Sequence, residues 1–278
     1  MDLTSLKNIK RILNGKYPAK KLGQNFLIDE TTIKDLVEVA EVNRNDNVLE
    51  VGPGLGAITE ELSKTAQKII AIEKDIELVN HLQNLSLENV ELINDDFLKI
   101  DLNSLKLNNY KAIANLPFNV ATAIIRKILT EGNPNSIAVI LQKEVAERIE
   151  AEGEKENFLS ITTKIQGDPK IHKIVPRNCF WPMPRVDGAI LKITPRKQNE
   201  NVLFYNHFFS VAEAGFRHPR KQLKNNLSSL KITKKQAKDL LVSLNLNPKI
   251  RAEDLSVSDW KNITKKYLTL KKKGNKIS

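Results

Sequence analysis

Apolar residues in the first two thirds of the chain fall into short runs separated by stretches of helical period. VLEV (48 to 51), KIIAIE (68 to 73), VELI (90 to 93) and KAIA (111 to 114) each read as a buried strand. A helix is expected near 31 to 42, and strands and helices alternate to about residue 152. Two later strands are expected near 171 to 175 and 187 to 193, separated by the proline-rich FWPMPR. Strand and helix in alternation imply a mostly parallel sheet covered on both faces, so the fold class is α/β.

After the polar linker PRKQNEN (195 to 201), Phe204, Phe208, Phe209 and Ala212 recur at helical spacing. TKKQAKDLLVSL and VSDWKNITKKYL read as two more amphipathic helices. The aromatics are expected in the core of a small helical domain rather than on a base-stacking surface. The expected organisation is a large domain over residues 1 to 195, with a basic arm at 1 to 21, and a helical domain over 201 to 278.

Length agrees, since 278 residues suffice for one large domain and one small one. Charge divides the chain in the same place. Of a net +11, residues 196 to 278 hold 19 Lys and Arg against 6 Asp and Glu, while residues 1 to 195 hold 25 against 27. The first 21 residues add six basic side chains against one acid. Such asymmetry is the footprint of a polyanion partner. In GFRHPRKQLKNNL (215 to 227), Arg217, Arg220, Lys221 and Lys224 fall within about two helical turns, a spacing suited to gripping a phosphate backbone. The lysine tail KKKGNK (271 to 276) needs no role beyond solubility.

Other classes receive no support. The single Cys179 excludes an internal disulfide and suits a reducing cytoplasm. Four scattered histidines show no ligand spacing, so no metal is expected. The longest uncharged stretch, 112 to 125, is interrupted by Asn115, Pro117 and Asn119, and neither a membrane span nor a signal peptide is expected.

Candidate chemistry sits at the ends of the strands. VLEVGPGLG (48 to 56) runs a strand into three alternate glycines, among them Gly52, and a helix follows; glycines let backbone approach a ligand closely. G-x-G-x-G in place of G-x-G-x-x-G, with Glu60 and Glu61 opening the helix, favours the sulfonium of S-adenosylmethionine over a pyrophosphate. Glu73 stands 21 residues after Gly52, where an acid can accept both ribose hydroxyls. Asp95 and Asp96 end the third strand, and either is suited to an adenine amino group. The fourth strand ends in Asn115-Leu116-Pro117-Phe118. An exocyclic amine conjugated to an aromatic base is a poor nucleophile. The Asn115 side-chain oxygen and the Leu116 carbonyl suit its two N–H bonds, Pro117 fixes the backbone, and Phe118 offers a face to a flipped base. Phe180 is placed to close the other side.

KKLGQNFLID (20 to 29), EVGPGLG, NLPF, LQKEVAERI (141 to 149), FWPMPRVDGA (180 to 189) and AEAGFRHPRKQLKNNL (212 to 227) together resemble the ribosomal RNA adenine N6-dimethyltransferases. The resemblance covers nearly the whole chain. It implies a Rossmann-like, seven-stranded class I methyltransferase sheet with a small all-helical C-terminal domain. It also implies that Asn25, Leu27, Gly52, Glu73, Asp96 and Asn115 contact S-adenosyl-L-methionine. The implied substrate is two adjacent adenosines in a hairpin loop near the 3′ end of small-subunit rRNA, in an immature ribosomal subunit, and a cytoplasmic monomer is expected. Phe118 stands where the family has tyrosine, Gly188 where it has serine, and ENFLS (156 to 160) is a residue shorter than the family pattern. Three alternatives stay open: a large-subunit rRNA methyltransferase of the macrolide-resistance kind, a mitochondrial transcription-factor relative, and a DNA adenine methyltransferase. The leucine in Asn-Leu-Pro and the length of the C-terminal region argue against the first, and the absence of an Arg- and Ser-rich transit peptide against the second.

Overall fold

The computed structural model describes residues 2–18, 23–151, 156–196 and 200–274. Lys20 and Lys21 of the basic arm and the end of the lysine tail lie outside the described residues. The chain forms two compact units, one of residues 1–147 and 167–196, the other of residues 148–166 and 197–278. The boundary near 196 falls in the polar linker. Residues 148–166 were expected with the larger domain but cluster with the second unit, because Phe158, Ile161 and Ile165 belong to its apolar core.

The first unit opens with α1 (Leu6–Ile12), β1 (Phe26–Leu27) and α2 (Glu30–Ala40). Four strand and helix pairs follow: β2 (Asn47–Val51) and α3 (Ala57–Ser63), β3 (Lys68–Glu73) and α4 (Ile76–Gln83), β4 (Val90–Asn94) and a short 3₁₀ turn, then β5 (Tyr110–Asn115) and α5 (Ala121–Glu131). β6 (Ser136–Gln142) leads into α6 (Lys143–Glu150) and α7 (Phe158–Lys164), after which β7 (Gly167–Val175), β8 (Phe180–Trp181) and β9 (Gly188–Pro195) complete the unit. Asp29 caps α2 through the Thr32 N–H at 2.7 Å, and Asp75 caps α4 through the Glu77 N–H at 3.0 Å.

Seven strands form one sheet in the order β4-β3-β2-β5-β6-β9-β7, with β9 antiparallel to both neighbours and the others of the β4 to β6 set parallel. Val48, Ile69, Ala71, Ile113, Ala138, Ile140 and Ile190 form one apolar face against Ile33 and Leu36 of α2 and Ile58 and Leu62 of α3. Leu49, Ile70, Ile72, Val139 and Leu191, on the alternate positions, are equally buried. Burial on both faces is why these strands read as continuous apolar runs. A separate ladder pairs Phe26 with Trp181 and Leu27 with Phe180, joining β1 to β8.

The second unit is helical, with α7, α8 (Val202–Phe216), α9 (Leu223–Leu227), α10 (Lys234–Val242) and α11 (Val257–Gly274). Phe204, Phe208 and Phe209 are buried around Trp260, as expected of core residues. The region 215 to 227 is not a single helix: α8 ends at Phe216, an irregular turn carries Arg217, Arg220 and Lys221, and α9 begins at Leu223. Gly215 lies under this turn. A β-carbon there would sit 2.2 Å from the Trp260 ring and 3.0 Å from Leu223. Gly215→Ala is therefore expected to cost about 1 to 3 kcal/mol through overpacking. An unchanged thermal melt would show that the Trp260 ring moves aside freely.

Candidate functional site: a cleft at the carboxyl edge of the sheet

Between β2 and β5 the strand order reverses, and the carboxyl ends of β2, β3, β4 and β5 converge on one cleft. Asn25, Leu27, Gly52, Glu73, Asp95, Asp96, Asn115, Leu116, Pro117 and Phe118 all line it. Ligands of open parallel sheets bind at such reversals. The loop after β2 turns through left-handed backbone at Gly52 (φ 70°), Gly54 (φ 61°) and Gly56 (φ 89°), which is why glycine occupies alternate positions. The Phe26 ring lies 3.3 Å from where a β-carbon of Gly54 would stand, so that glycine also makes room for β1.

Glu73 closes β3 and is only 7% exposed. Its two carboxylate oxygens accept the Gly54 N–H at 3.1 Å and the Asp75 N–H at 2.9 Å. Burial raises its pKa, and those two N–H bonds oppose the rise. A carboxylate oxygen has more than one lone-pair site, so the backbone bonds fix the group without exhausting it. Asp96 is half-buried. Its carboxylate accepts the Leu98 N–H at 3.1 Å and the Lys74 ammonium at 2.8 Å, and the Lys74 bond holds its pKa below the usual range. Asp95 is exposed at the rim and accepts the Asp96 N–H at 2.6 Å.

Asn115 ends β5. Its side-chain N–H donates to the Asn25 carbonyl at 2.9 Å, leaving the side-chain oxygen as the acceptor it presents. The Leu116 N–H donates to the Ile140 carbonyl at 2.9 Å, extending the β5–β6 ladder past Asn115, and a turn closes with the Val120 N–H on the Pro117 carbonyl at 3.1 Å. The segment before β1 is tied to both sides of the cleft. Gln24 donates to the Asp75 carboxylate at 3.0 Å, and Gly23 has φ 65° with Asn119 packed 2.8 Å from where a β-carbon would stand. Gln24, Gly23 and Lys74 were not singled out from sequence. Gly23 and Gln24 lie inside KKLGQNFLID, and Lys74 follows Glu73 directly.

Two expectations change. Glu60 and Glu61 do not line this cleft; they face a neighbouring one with Asp2, Glu30, Lys34 and Lys64, and Glu61 pairs with Lys64 at 2.6 Å. Ala57, at the start of α3, lines both clefts, and Glu60 and Glu61, three and four residues on, share its face one turn further along the helix, beside the neighbouring cleft. Phe180 is 2% exposed within the core and does not line the cleft. Its ring stands edge-on to Phe118, with centroids 6.4 Å apart at 71°. It therefore buttresses Phe118 rather than offering an open face. Arg217, Arg220, Lys221 and Lys224 belong to the second unit, the first three exposed and Lys224 half-buried. Among the described residues no cluster of three metal-ligating side chains occurs, and no helix is long and apolar enough to cross a membrane.

Behind the glycine loop, Glu50 on β2 is 1% exposed. Burial pushes its carboxyl up to about 8; the nearby Thr59 hydroxyl lowers it and the negative field of Glu73 adds to the rise. Neither carboxylate oxygen has a hydrogen-bond partner of normal geometry. An acid whose folded value exceeds its ordinary value of 4.5 destabilises the fold as pH rises between those two values. Glu50→Gln, which cannot ionise, is expected to flatten the fall in melting temperature between about pH 5 and 8. A variant whose melt tracks wild type across that window would remove Glu50 from the pH dependence.

The family model described as ribosomal RNA adenine dimethylase matches residues 16–273. A relative named ribosomal RNA small subunit methyltransferase A, from Clostridium botulinum (strain ATCC 19397 / Type A), is 40% identical over 264 residues, covering 91% of this chain and 96% of its own. Among solved structures, a dimethyladenosine transferase from Plasmodium falciparum aligns with a TM-score of 0.74 at 22% identity, covering 90% of this chain and 98% of its own. The 23S rRNA methyltransferase ErmE aligns at 0.67 and 23%, covering 87% and 99%. These two likenesses concern the fold, a Rossmann-like class I methyltransferase sheet followed by a helical C-terminal part. With the family model spanning almost the whole chain and a relative this similar over nine tenths of it, the chain belongs to the ribosomal RNA adenine dimethylase family.

Proposed function

We propose that this methyltransferase uses S-adenosyl-L-methionine to dimethylate N6 of two adjacent adenosines in a 3′-terminal hairpin loop of small-subunit rRNA, acting as a cytoplasmic monomer on immature small subunits. The observation that carries the reading is the bond from the Asn115 side-chain N–H to the Asn25 carbonyl. It fixes the amide so that its oxygen, not its nitrogen, is the group left to accept, and Leu116, the next residue, lines the same cleft. Two acceptors are what a neutral exocyclic amine requires, because its two N–H donors are held and its lone pair is left to point elsewhere. Bound in the cleft, S-adenosylmethionine supplies a methyl group already activated by the positive charge on its sulfur. The cleft fits that molecule: a glycine turn for close approach, a backbone-fixed carboxylate at Glu73 for the ribose diol, and Asp96 for an adenine amino group.

The protein's part is mainly positioning and exclusion of water. Asn115 and Leu116 orient the amine, Pro117 sets the loop, and Phe118, buttressed by Phe180, stacks on the base. A target base must leave its own stack to reach this depth. The methylated amine is acidic enough to lose its proton to a carbonyl or to water, so no general base is demanded. The basic turn at Arg217, Arg220 and Lys221, with Lys224, grips RNA phosphates. Small-subunit specificity is supported by the name of the 40% identical relative, whereas the 23S methyltransferase likeness stands at 23% identity.

Labelled methyl groups supplied with unmodified small-subunit particles, large-subunit particles and duplex DNA test the reading. Incorporation into two adjacent adenosines of the small-subunit RNA is expected, and label confined to large-subunit RNA or DNA would overturn it. Glu73→Ala is expected to weaken S-adenosylmethionine binding by about 1.5 to 3 kcal/mol, through loss of charge-assisted hydrogen bonds, as read by calorimetry. Asn115→Ala is expected to abolish turnover while RNA affinity and the melt stay close to wild type. Phe118→Tyr keeps the stacking face and should remain active; Phe118→Ala should not. Substantial turnover in Asn115→Ala would sink the orienting role.

A further inference from the structure

The basic turn of the second unit is braced from beneath by one buried amide. Asn226, on α9, is 3% exposed. Its side-chain N–H group donates to the Gly215 carbonyl at 2.6 Å and to the His218 carbonyl at 3.0 Å. Gly215 lies in the last turn of α8, whose terminal carbonyls have no partner within the helix. His218 lies in the middle of the turn and also accepts the Lys221 N–H at 2.9 Å. One side chain thus ties the end of α8 to the centre of the segment that displays Arg217, Arg220 and Lys221. The Leu223 N–H on the Ile250 carbonyl, at 2.8 Å, pins the far end. Phe216 stacks on Trp260 with centroids 5.3 Å apart at 26°, pinning the near end. The middle carries exposed cations and Pro219, and no side chain of the turn reaches into the core there.

The Asn226 side-chain oxygen is itself buried without a partner. A leucine of almost the same shape would remove that orphan oxygen but leave the buried Gly215 carbonyl without its donor. What leucine lacks is the pair of donors that shape the turn.

We infer that Asn226 is a positioning residue for RNA binding: its amide holds the backbone between Gly215 and His218 so that Arg217, Arg220 and Lys221 meet neighbouring phosphates together. Fixing three long cations on one rigid turn lowers the entropy lost when they engage. This rests on the reading of the basic turn as an RNA contact.

The test compares Asn226→Leu and Asn226→Ser with a variant in which Arg217, Arg220, Lys221 and Lys224 are all glutamine. The probe is a short hairpin RNA with two adjacent adenosines in its loop. Leucine keeps the packing, and serine is too short to reach both carbonyls. For the folded Asn226 variants, RNA affinity is expected to fall about 5- to 30-fold and the log-log salt slope to shrink by about one unit; for the glutamine variant the slope is expected to shrink by nearly one unit per lost contact. S-adenosylmethionine affinity should be unchanged, since its cleft belongs to the other unit. Asn226→Leu strands the Gly215 carbonyl, so its melt is expected to fall, and the smaller salt slope of the folded variant is the readout that a purely structural brace would not move. Wild-type affinity and slope in both single variants, with the glutamine variant weakened, would overturn the role of Asn226 alone. A glutamine variant that binds as wild type would overturn the reading of the turn and this inference with it.

Discussion

Parallel pairing of β2 with both β3 and β5 is the constraint on which the site depends. Because β3 and β4 extend the sheet to one side of β2 while β5 and β6 extend it to the other, the chain leaves the sheet in divergent directions at one point. The backbone opens there without any side chain having to be cut away. Parallel register then delivers Gly52, Glu73, Asp96 and Asn115 to a single edge, although they span more than sixty residues of sequence. No single contact among them is needed to bring them together. The hydrogen-bonded ladders, buried on both faces, do so collectively.

What the sheet leaves open, the segment before β1 closes. Gln24 reaches Asp75 at the end of β3, and the Asn25 carbonyl receives the Asn115 amide at the end of β5, so two residues of one short segment span the two sides of the reversal. The β1–β8 ladder fastens this segment to the strand carrying Phe180, which in turn supports Phe118. Asn115, Phe118 and Asp75 are thus linked to this segment directly or through Phe180. In the proposed reaction, preorganisation of this kind removes reorganisation from the reacting step.

Buried acids are expensive, and this unit keeps two of them close to the glycine loop. Glu73 is held by backbone N–H groups that favour its charged form. Glu50 has no such donors, and its neutral form is the stable one up to about pH 8. Burial raises both carboxyls, on adjacent strands, and only Glu73 receives backbone donors that oppose the rise. The second unit solves a different problem with the same means, using backbone carbonyls and a buried amide to shape a turn that displays charge.

Sequence alone determined the α/β class, most of the strand positions, the helical second unit and most of the residues at the cleft. Each of these is local: an apolar run, a glycine that must turn left-handed, an acid or an asparagine at a strand end. The assignment of 148–166 to the second unit was not legible, because it depends on where Phe158, Ile161 and Ile165 find apolar partners some forty or more residues away. Nor was the turn at 217 to 222, since charge spacing fits a helix and an irregular turn equally well. The side-chain directions of Glu60 and Glu61 depend on how α3 is rotated against the sheet, and the burial of Phe180 on the pairing of β8 with β1. Tertiary structure decided these, and with them the orientation of the Asn115 amide. A side-chain amide is nearly symmetric in shape and takes its direction only from the partner that packing sets beside it, here the carbonyl of Asn25.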